Sequence, residues 1–367
     1  MTSLALVLGI LASGVTPPAP KAPTAVPSGH APRVEVTFVL DTTGSMGGLI
    51  DGAKRRIWSI ARRIGEGQPR PELRIALVAY RDLGDEYVTR VFDFTGDMDE
   101  VYANLMSFQA AGGGDGPEHV SAALSDAVHK VSWSKGRGMR VIFLVGDAPP
   151  HIDYQDGFDY HRHVREAAAR GIGVEAIQCG GDQVTAVVWQ EIASLGGGRY
   201  ARIDGDGGMP IKVTPVDAEL SRLNGELAST AVVGGSRDAR ARTDAKLAAR
   251  ANMAAPAAAE AASYFAASGR IAEKDLVDMP LAEQKKELAA TKQAGAPPAT
   301  LVGKSDAEAI AYLATQKDKR AKLQTRILDL QKQREAYLAK DAGGKDAFDQ
   351  AVVNSLRLRG TAAGISY

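Results

Sequence analysis

The stretch VLDTTGSMGG, residues 39–48, sets one carboxylate, three hydroxyls and a glycine pair at the end of an apolar run. Ser45 has no nucleophile elbow around it, and no Ser, His and Asp trio or spaced carboxylate pair announces a hydrolase. The chemistry that fits is hard-oxygen coordination. In a tight turn through Gly44, the alternate residues Asp41, Thr43 and Ser45 present a carboxylate and two hydroxyls to one point. Mg2+ takes a compact oxygen octahedron and keeps waters, so few protein ligands suffice. Asp147 ends a second apolar run, VIFLVG. The loop AAGGGDGPEHV, residues 110–120, offers Asp115 among glycines that let backbone approach closely, and Pro117 suits the first turn of the next helix. Glu118 competes as a ligand or caps that helix. The bland alternative is that Asp41, Thr43 and Ser45 only cap a helix. An aspartate that accepts a phosphoryl group usually has a second carboxylate two residues on, where this chain has Thr43.

Other chemistry-bearing residues carry less. In HIDYQDGFDYHRH, residues 151–163, His161 and His163 stand two apart, about 200° around a helix, and cannot chelate together there. His151 and Asp153 follow Asp147 and are placed on the ligand rim, as is Asp82 of the Tyr80-Arg81-Asp82 run, which reads either as a rim ion pair or as plain surface. Cys179 is the single cysteine, which excludes an intramolecular disulfide and a CxxC site; after the run GIGVEAIQ it reads as a buried small hydrophobe. LVGKS is not a phosphate loop, because the position needing glycine holds Pro298.

The elements that must position these residues follow from periodicity. Runs at 34–40, 73–80, 139–146 and 173–180 are apolar almost throughout, as parallel strands covered on both faces are. YVTRVFDF, residues 87–94, alternates and reads as an edge strand. Helical spacing appears over 47–65, 99–108, 118–132, 160–170 and 183–195. Strand and helix in alternation predict an α/β fold with a doubly wound, mostly parallel, Rossmann-like sheet over 33–205. In such sheets ligands sit outside the carboxyl ends of the strands, which puts Asp41 and Asp147 on one rim. An α-helical C-terminal region is expected over 216–367. A capping box, Ser305 with Glu308, starts a long helix over about 305–339. Leu313, Leu323, Ile327, Leu330 and Tyr337 form its seam, which Gln316, Arg320 and Arg334 interrupt. A helical hairpin or a helix laid on the domain is favoured over a coiled coil.

The three segments in this order resemble the metal-ion-dependent adhesion site of von Willebrand factor type A domains: Asp41-x-Thr43-Gly44-Ser45, the glycine-rich loop with Asp115, and Gly146-Asp147-Ala148. The resemblance covers about 33–205 and implies that the first motif supplies a carboxylate and two hydroxyls, and the third an aspartate that often acts through water. The usual first motif is DxSxS, so Thr43 preserves a hydroxyl. The second loop usually supplies a threonine, and Asp115 stands in its place, as in a bacterial and hemicentin-like GGGDxPE branch. The implied set is Mg2+, or Mn2+ or Ca2+, at Asp41, Thr43, Ser45, Asp115 and Asp147, with Glu118, His151, Asp153 and Asp82 around it. Three carboxylates more than neutralise a divalent cation, which tightens metal binding and weakens the metal's pull on an acidic ligand.

The 44 basic and 44 acidic residues cancel, so no whole-chain field draws nucleic acid or anionic membrane. Residues 33–205 hold 19 basic and 24 acidic side chains, net −5, and residues 206–367 hold 24 and 20, net +4. The apolar run Leu4–Ala12 is too short to span a bilayer and suits the core of a signal peptide over residues 1–15, although no Lys or Arg precedes it. Six prolines between 16 and 32 mark a Pro/Ala-rich linker. The resulting expectation is an exported protein, periplasmic or extracellular, with a cytoplasmic location as the alternative. It carries no transmembrane anchor, is not an enzyme, and recognises a protein partner through an acidic side chain on the metal. The alternatives are metal-assisted hydrolysis with His151 or His119 as base, and a structural envelope protein working through its helical tail.

Overall fold

The alternation of strand and helix builds one six-stranded sheet in the order β3-β2-β1-β4-β5-β6. The computed structural model describes residues 31–114, 116–205, 213–294, 297–340 and 347–367; the expected signal peptide and nearly all of the linker lie outside them. The strands are β1 Arg33–Asp41, β2 Glu72–Tyr80, β3 Thr89–Thr95, β4 Met139–Gly146, β5 Gly173–Cys179 and β6 Tyr200–Ile203. All pairs are parallel except β2 with β3, the antiparallel edge. The fold is therefore mixed α/β with a mostly parallel sheet flanked by helices, followed by a helical C-terminal region. β6 is a strand the sequence pattern did not reveal, being only four residues long.

Each strand feeds two cores, because successive side chains point to opposite faces. Val36, Phe38 and Leu40 of β1 and Val141, Phe143 and Val145 of β4 enter one core, while Val39, Ile142 and Leu144 enter the other. The second core is closed by three helices that come from the sheet's own crossovers, α3 Val120–His129, α4 Tyr160–Ala169 and α5 Gln183–Leu195. α1 Gly47–Gly65 and α2 Met98–Met106 cover part of the first face.

The remainder of that first face is covered from far along the chain. The C-terminal helices are α6 Asp217–Ala228, α7 Arg237–Arg250, α8 Ala255–Ser268, α9 Leu281–Gln293, α10 Asp306–Lys340 and α11 Ala347–Ala363. α11 lies against α1, β4, β5 and β6. Its Phe348 meets Phe38 at a 6.3 Å ring separation, and Phe38 stacks on Phe143 at 5.5 Å. The buried Glu175 of β5 pins α11, accepting from Ser355 Oγ at 2.9 Å and Arg359 Nε at 2.8 Å. Two backbone bonds between Gln68 and Ser366 tie the segment after α11 to the loop after α1. Residues 32 to 367 form one unit.

α8 is alanine-rich and buried on most sides, as a helix running through a core must be. It packs on α1, where Trp58 sits 5.2 Å from Phe265 and 5.7 Å from Tyr264. α10 is laid across α6, α8 and α9. Its first turn carries the Ser305–Glu308 box, with the Ser305 amide donating to Glu308 Oε2 at 2.8 Å and the Glu308 amide to Ser305 Oγ at 3.3 Å. Arg320 and Arg334, which interrupt the apolar seam in the sequence, are buried and ion-paired. Arg334 donates to Asp217 at 2.8 Å and to Glu260 at 2.5 Å; Arg320 bonds Asp275 at 2.6 Å and also pairs with Asp278.

Candidate metal centre

The strand order reverses at β1, whose neighbours are β2 on one side and β4 on the other, and a crevice opens at such a switch point. Asp41 is the last residue of β1 and Asp147 follows the last residue of β4, so both flank it. Asp41 is fully buried. Its Oδ1 accepts from the Thr43 amide at 2.9 Å and the Thr43 hydroxyl at 2.7 Å, and Ser45 Oγ lies 3.4 Å from Thr43 Oγ1. The turn thus gathers the three side chains. Asp41 Oδ2 has no hydrogen-bond partner among the described residues.

The glycine-rich loop is laced onto this turn. Gly44 N donates to Gly112 O, and Ala111 N to Thr42 O, both at 3.1 Å. Gly112 and Gly113 have φ of 77° and 78°, a left-handed conformation natural to glycine. A Cβ on Gly112 would fall 2.1 Å from Asp85 Oδ1, so any side chain there would expel Asp85, which accepts from the Gly113 amide at 3.1 Å. A Cβ on Gly113 would stand 3.2 Å from Glu118 Oε1 and 3.3 Å from Thr43 Cβ, which places the Glu118 carboxylate beside the turn. Asp115 lies outside the described residues.

Electrostatics single out the same atoms. Burial, with the charge of Asp147 adding to it, pushes Asp41 up to about 7 against the hydrogen bonds from Thr43. Burial pushes Glu118 up to about 9, helped by Asp41, Asp82, Asp85 and Asp147. Tyr80 is raised by burial and by Asp41, Glu118 and Asp147; a Cβ on Gly146 would meet its hydroxyl at 2.4 Å and Asp41 Oδ2 at 3.1 Å. Asp82 Oδ1 and Glu118 Oε2 are, like Asp41 Oδ2, buried and without a hydrogen-bond partner among the described residues. The nearby cation, Arg81, is spent on backbone: its Nε donates to Thr42 O at 3.1 Å and its Nη2 to Gln109 O at 2.8 Å. Buried carboxylates that keep an oxygen without a cation or donor are costly and take up protons, whereas a divalent cation satisfies them. The residues present therefore fit a hard divalent metal.

The rest of the rim is partly as the sequence suggests. Asp82 accepts from Tyr154 Oη at 2.7 Å, and His151 Nε2 stands 3.5 Å from Asp82 Oδ2. His151 stacks on Tyr154 at 4.1 Å and its Nδ1 bonds the exposed Asp153 at 2.8 Å. In the Tyr80-Arg81-Asp82 run, Arg81 faces Glu86 at 3.6 Å, and Asp82 has His151 rather than Arg81 beside it. His119 caps α3 by accepting from the Ala122 amide at Nδ1, so its Nε2 carries the proton toward Asp156 at 2.7 Å. His161 and His163 diverge: His161 meets Asp159 and Glu191, and His163 meets Glu166. Sequence reasoning passed over Asp85, Tyr80 and Tyr154 as site residues. Asp85 shows only as part of a turn, LGDE, and Tyr80 as the end of an apolar strand.

The model of the von Willebrand factor A domain family matches residues 35–157, which span Asp41, Asp82, Asp85, Glu118, Asp147 and His151. von Willebrand factor A domain-containing protein 7 of Rattus norvegicus is 41% identical over 123 residues, 32% of this chain and 12% of that protein. Its Homo sapiens counterpart is 39% identical over the same length. The putative ariadne-like RING finger protein R811 of Acanthamoeba polyphaga mimivirus is 26% identical over 118 residues, 32% of this chain and 11% of that protein. The likeness thus spans only a small part of these relatives. Proximal thread matrix protein 1 from the mussel byssus aligns with a TM-score of 0.37 at 14% identity over 48% of this chain and 43% of that one, too loose to carry an argument. The sheet order, the family match and the identity to the rat protein agree: residues 35–157 of this chain are a von Willebrand factor A domain.

Proposed function

We propose that the protein is an exported, non-enzymatic recognition module that holds Mg2+ at the end of β1 and binds a protein partner through it. A von Willebrand factor A domain points to protein interaction or adhesion in general terms. The finer reading rests on one observation: among the described residues, Asp41 Oδ2 and Glu118 Oε2 are buried without hydrogen-bond partners beside the hydroxyls of Thr43 and Ser45. Asp41, Thr43 and Ser45 would hold the ion, with Asp147 and Asp115 as the further oxygens and Glu118, Asp82, His151 and Asp153 around them. Bound there, the ion supplies a Lewis-acid point for a partner's carboxylate. The chain's own part is to gather oxygens at the switch point and keep cations away from them. A hydrolytic use of His119 is disfavoured because both its ring nitrogens are engaged. Export is supported by the apolar run at 4–12, and no described helix is long and apolar enough to cross a membrane.

The test is calorimetric titration of Mg2+ and Mn2+ into chelator-treated full-length protein, beside Asp41→Ala and Asp115→Ala, followed by pull-downs with and without chelator. The full chain is used because α11 covers part of the sheet. Saturable binding lost in Asp41→Ala supports the reading. A folded wild type that takes up no metal would leave the oxygen cluster as a turn device and move the search to the C-terminal helices.

A further inference from the structure

A second group of ligand-type side chains sits away from the rim. His129 is the last residue of α3, and His163 and Glu166 stand three apart on α4 and so share one face of it. His129 Nε2 is 2.8 Å from Glu166 Oε2, and His163 Nδ1 is 3.2 Å from the same oxygen. One ligand atom from each residue can be chosen so that all three lie within 4.8 Å of one another. We propose that His129, His163 and Glu166 form a second metal centre, for a transition-metal dication of the Zn2+ class, that staples the end of α3 to α4.

Around Zn2+, with bonds near 2.0–2.1 Å, tetrahedral donors lie roughly 3.3–3.4 Å apart. The two nitrogen–oxygen distances are within about half an ångström of that edge, so small side-chain rotations open the space. Two imidazoles and one carboxylate suit Zn2+, Co2+ or Ni2+ better than Mg2+, which separates this centre chemically from the oxygen ligands proposed at Asp41, Thr43 and Ser45. His163 is buried, which fixes its ring. The neutral ring is the ligand form. One contact opposes binding: Arg162 Nη2 lies 3.3 Å from His163 Nε2. Coordination through Nδ1 moves the ring proton to Nε2, and the half-exposed Arg162 side chain must then turn toward solvent. Three protein ligands leave a fourth position for water or for a donor from another molecule. The rings of His161 and His163 diverge, as their spacing requires; the second imidazole comes instead from α3, a pairing set by how the two helices pack.

The experiment uses chelator-treated full-length protein, with Co2+ followed by visible absorption and Zn2+ by calorimetry and thermal melting. The variants are His129→Ala and Glu166→Gln, both at solvent-facing positions, and Asp41→Ala as the rim control. Wild type and Asp41→Ala are expected to show ligand-field bands of bound Co2+ and a rise in Tm with Zn2+. His129→Ala should lose the bands and weaken Zn2+ by more than about tenfold, since even partners behind the ligands are worth 10–100-fold. Wild type without Co2+ bands, or bands unchanged in His129→Ala and Glu166→Gln, would overturn the proposal. Because Asp41→Ala leaves this centre intact, its outcome is independent of the rim.

Discussion

Buried charge is handled in opposite ways at the rim of the sheet and in the C-terminal helices. Among the helices, Arg334 binds Asp217 and Glu260, Arg320 binds Asp275 and Asp278, and Arg250 holds Asp99 in two bonds of 2.5 and 2.9 Å while lying over Phe265 at 3.4 Å. Each of those carboxylates has a guanidinium. At the rim, Asp41, Asp82 and Glu118 are buried too, yet none of them is bonded to a guanidinium among the described residues; each keeps an oxygen without a hydrogen-bond partner there, as Glu260 Oε2 does beside its guanidinium. Burial alone therefore does not mark a site. A buried carboxylate paired with a guanidinium reports on how helices are held together, and one without a cation beside it is the kind of group a metal ion would satisfy.

The largest effect should come from breaking a pair. Arg334→Ala leaves Asp217 and Glu260 charged inside the helical packing, and a loss of about 3–5 kcal/mol in urea denaturation is expected. A loss below about 1 kcal/mol, the range of an exposed pair, would end the contrast. The same kind of deletion at the rim should do the reverse. Asp41→Asn removes a buried charge that has no cation, so stability in chelator should stay level or rise, while Mg2+ affinity falls at least tenfold, a minimum set by the loss of a partner behind a ligand, about 10–100-fold. Equal destabilisation by both substitutions would show that Asp41 has a structural partner.

Acidity sharpens the comparison further. Asp41 and Glu118 are pushed up to about 7 and about 9 in the fold, from carboxylate values near 4 in the unfolded chain. The folded state then binds protons more tightly, so in chelator this contribution to stability is fully present below about pH 4 and is lost as pH rises through 7 toward 9. Mg2+ needs the ionised groups, so its affinity should climb over the same range. Melting at pH 5.5 and 8.5, with and without Mg2+, checks both directions; a metal-free slope identical in Asp41→Asn would remove Asp41 as its source. The smallest effect is expected at Ser45, which is exposed: Ser45→Ala should shift stability by no more than about 0.5 kcal/mol. It should weaken Mg2+ only a few-fold by calorimetry, and no change at all would take Ser45 out of the ligand set.

Much of the sheet was legible because both its faces are buried. The apolar runs at 34–40, 73–80 and 139–146 stand out for that reason, and the helical spacing of 47–65 and 183–195 marks α1 and α5. Tyr200–Ile203 was not legible, because four residues hold too little of a period. Arg320 and Arg334 look like breaks in a seam because their carboxylates are distant in sequence; Asp217 and Glu260 mean nothing to Arg334 until α6, α8 and α10 pack.

By itself the sequence determined the order of strands and helices, and with it the arrival of Asp41 and Asp147 at one rim, since a strand-terminal residue in a parallel sheet has only one end to occupy. Local chemistry sufficed for the Asp41–Thr43–Ser45 turn, whose members are two residues apart. The tertiary structure alone decided that one oxygen each of Glu118 and Asp82 is left without a hydrogen-bond partner among the described residues, that His163 meets His129, and that α11 covers a sheet begun some three hundred residues earlier. Those outcomes depend on which distant side chains share a space. Hydrophobic periodicity records which face of an element is buried but not against what.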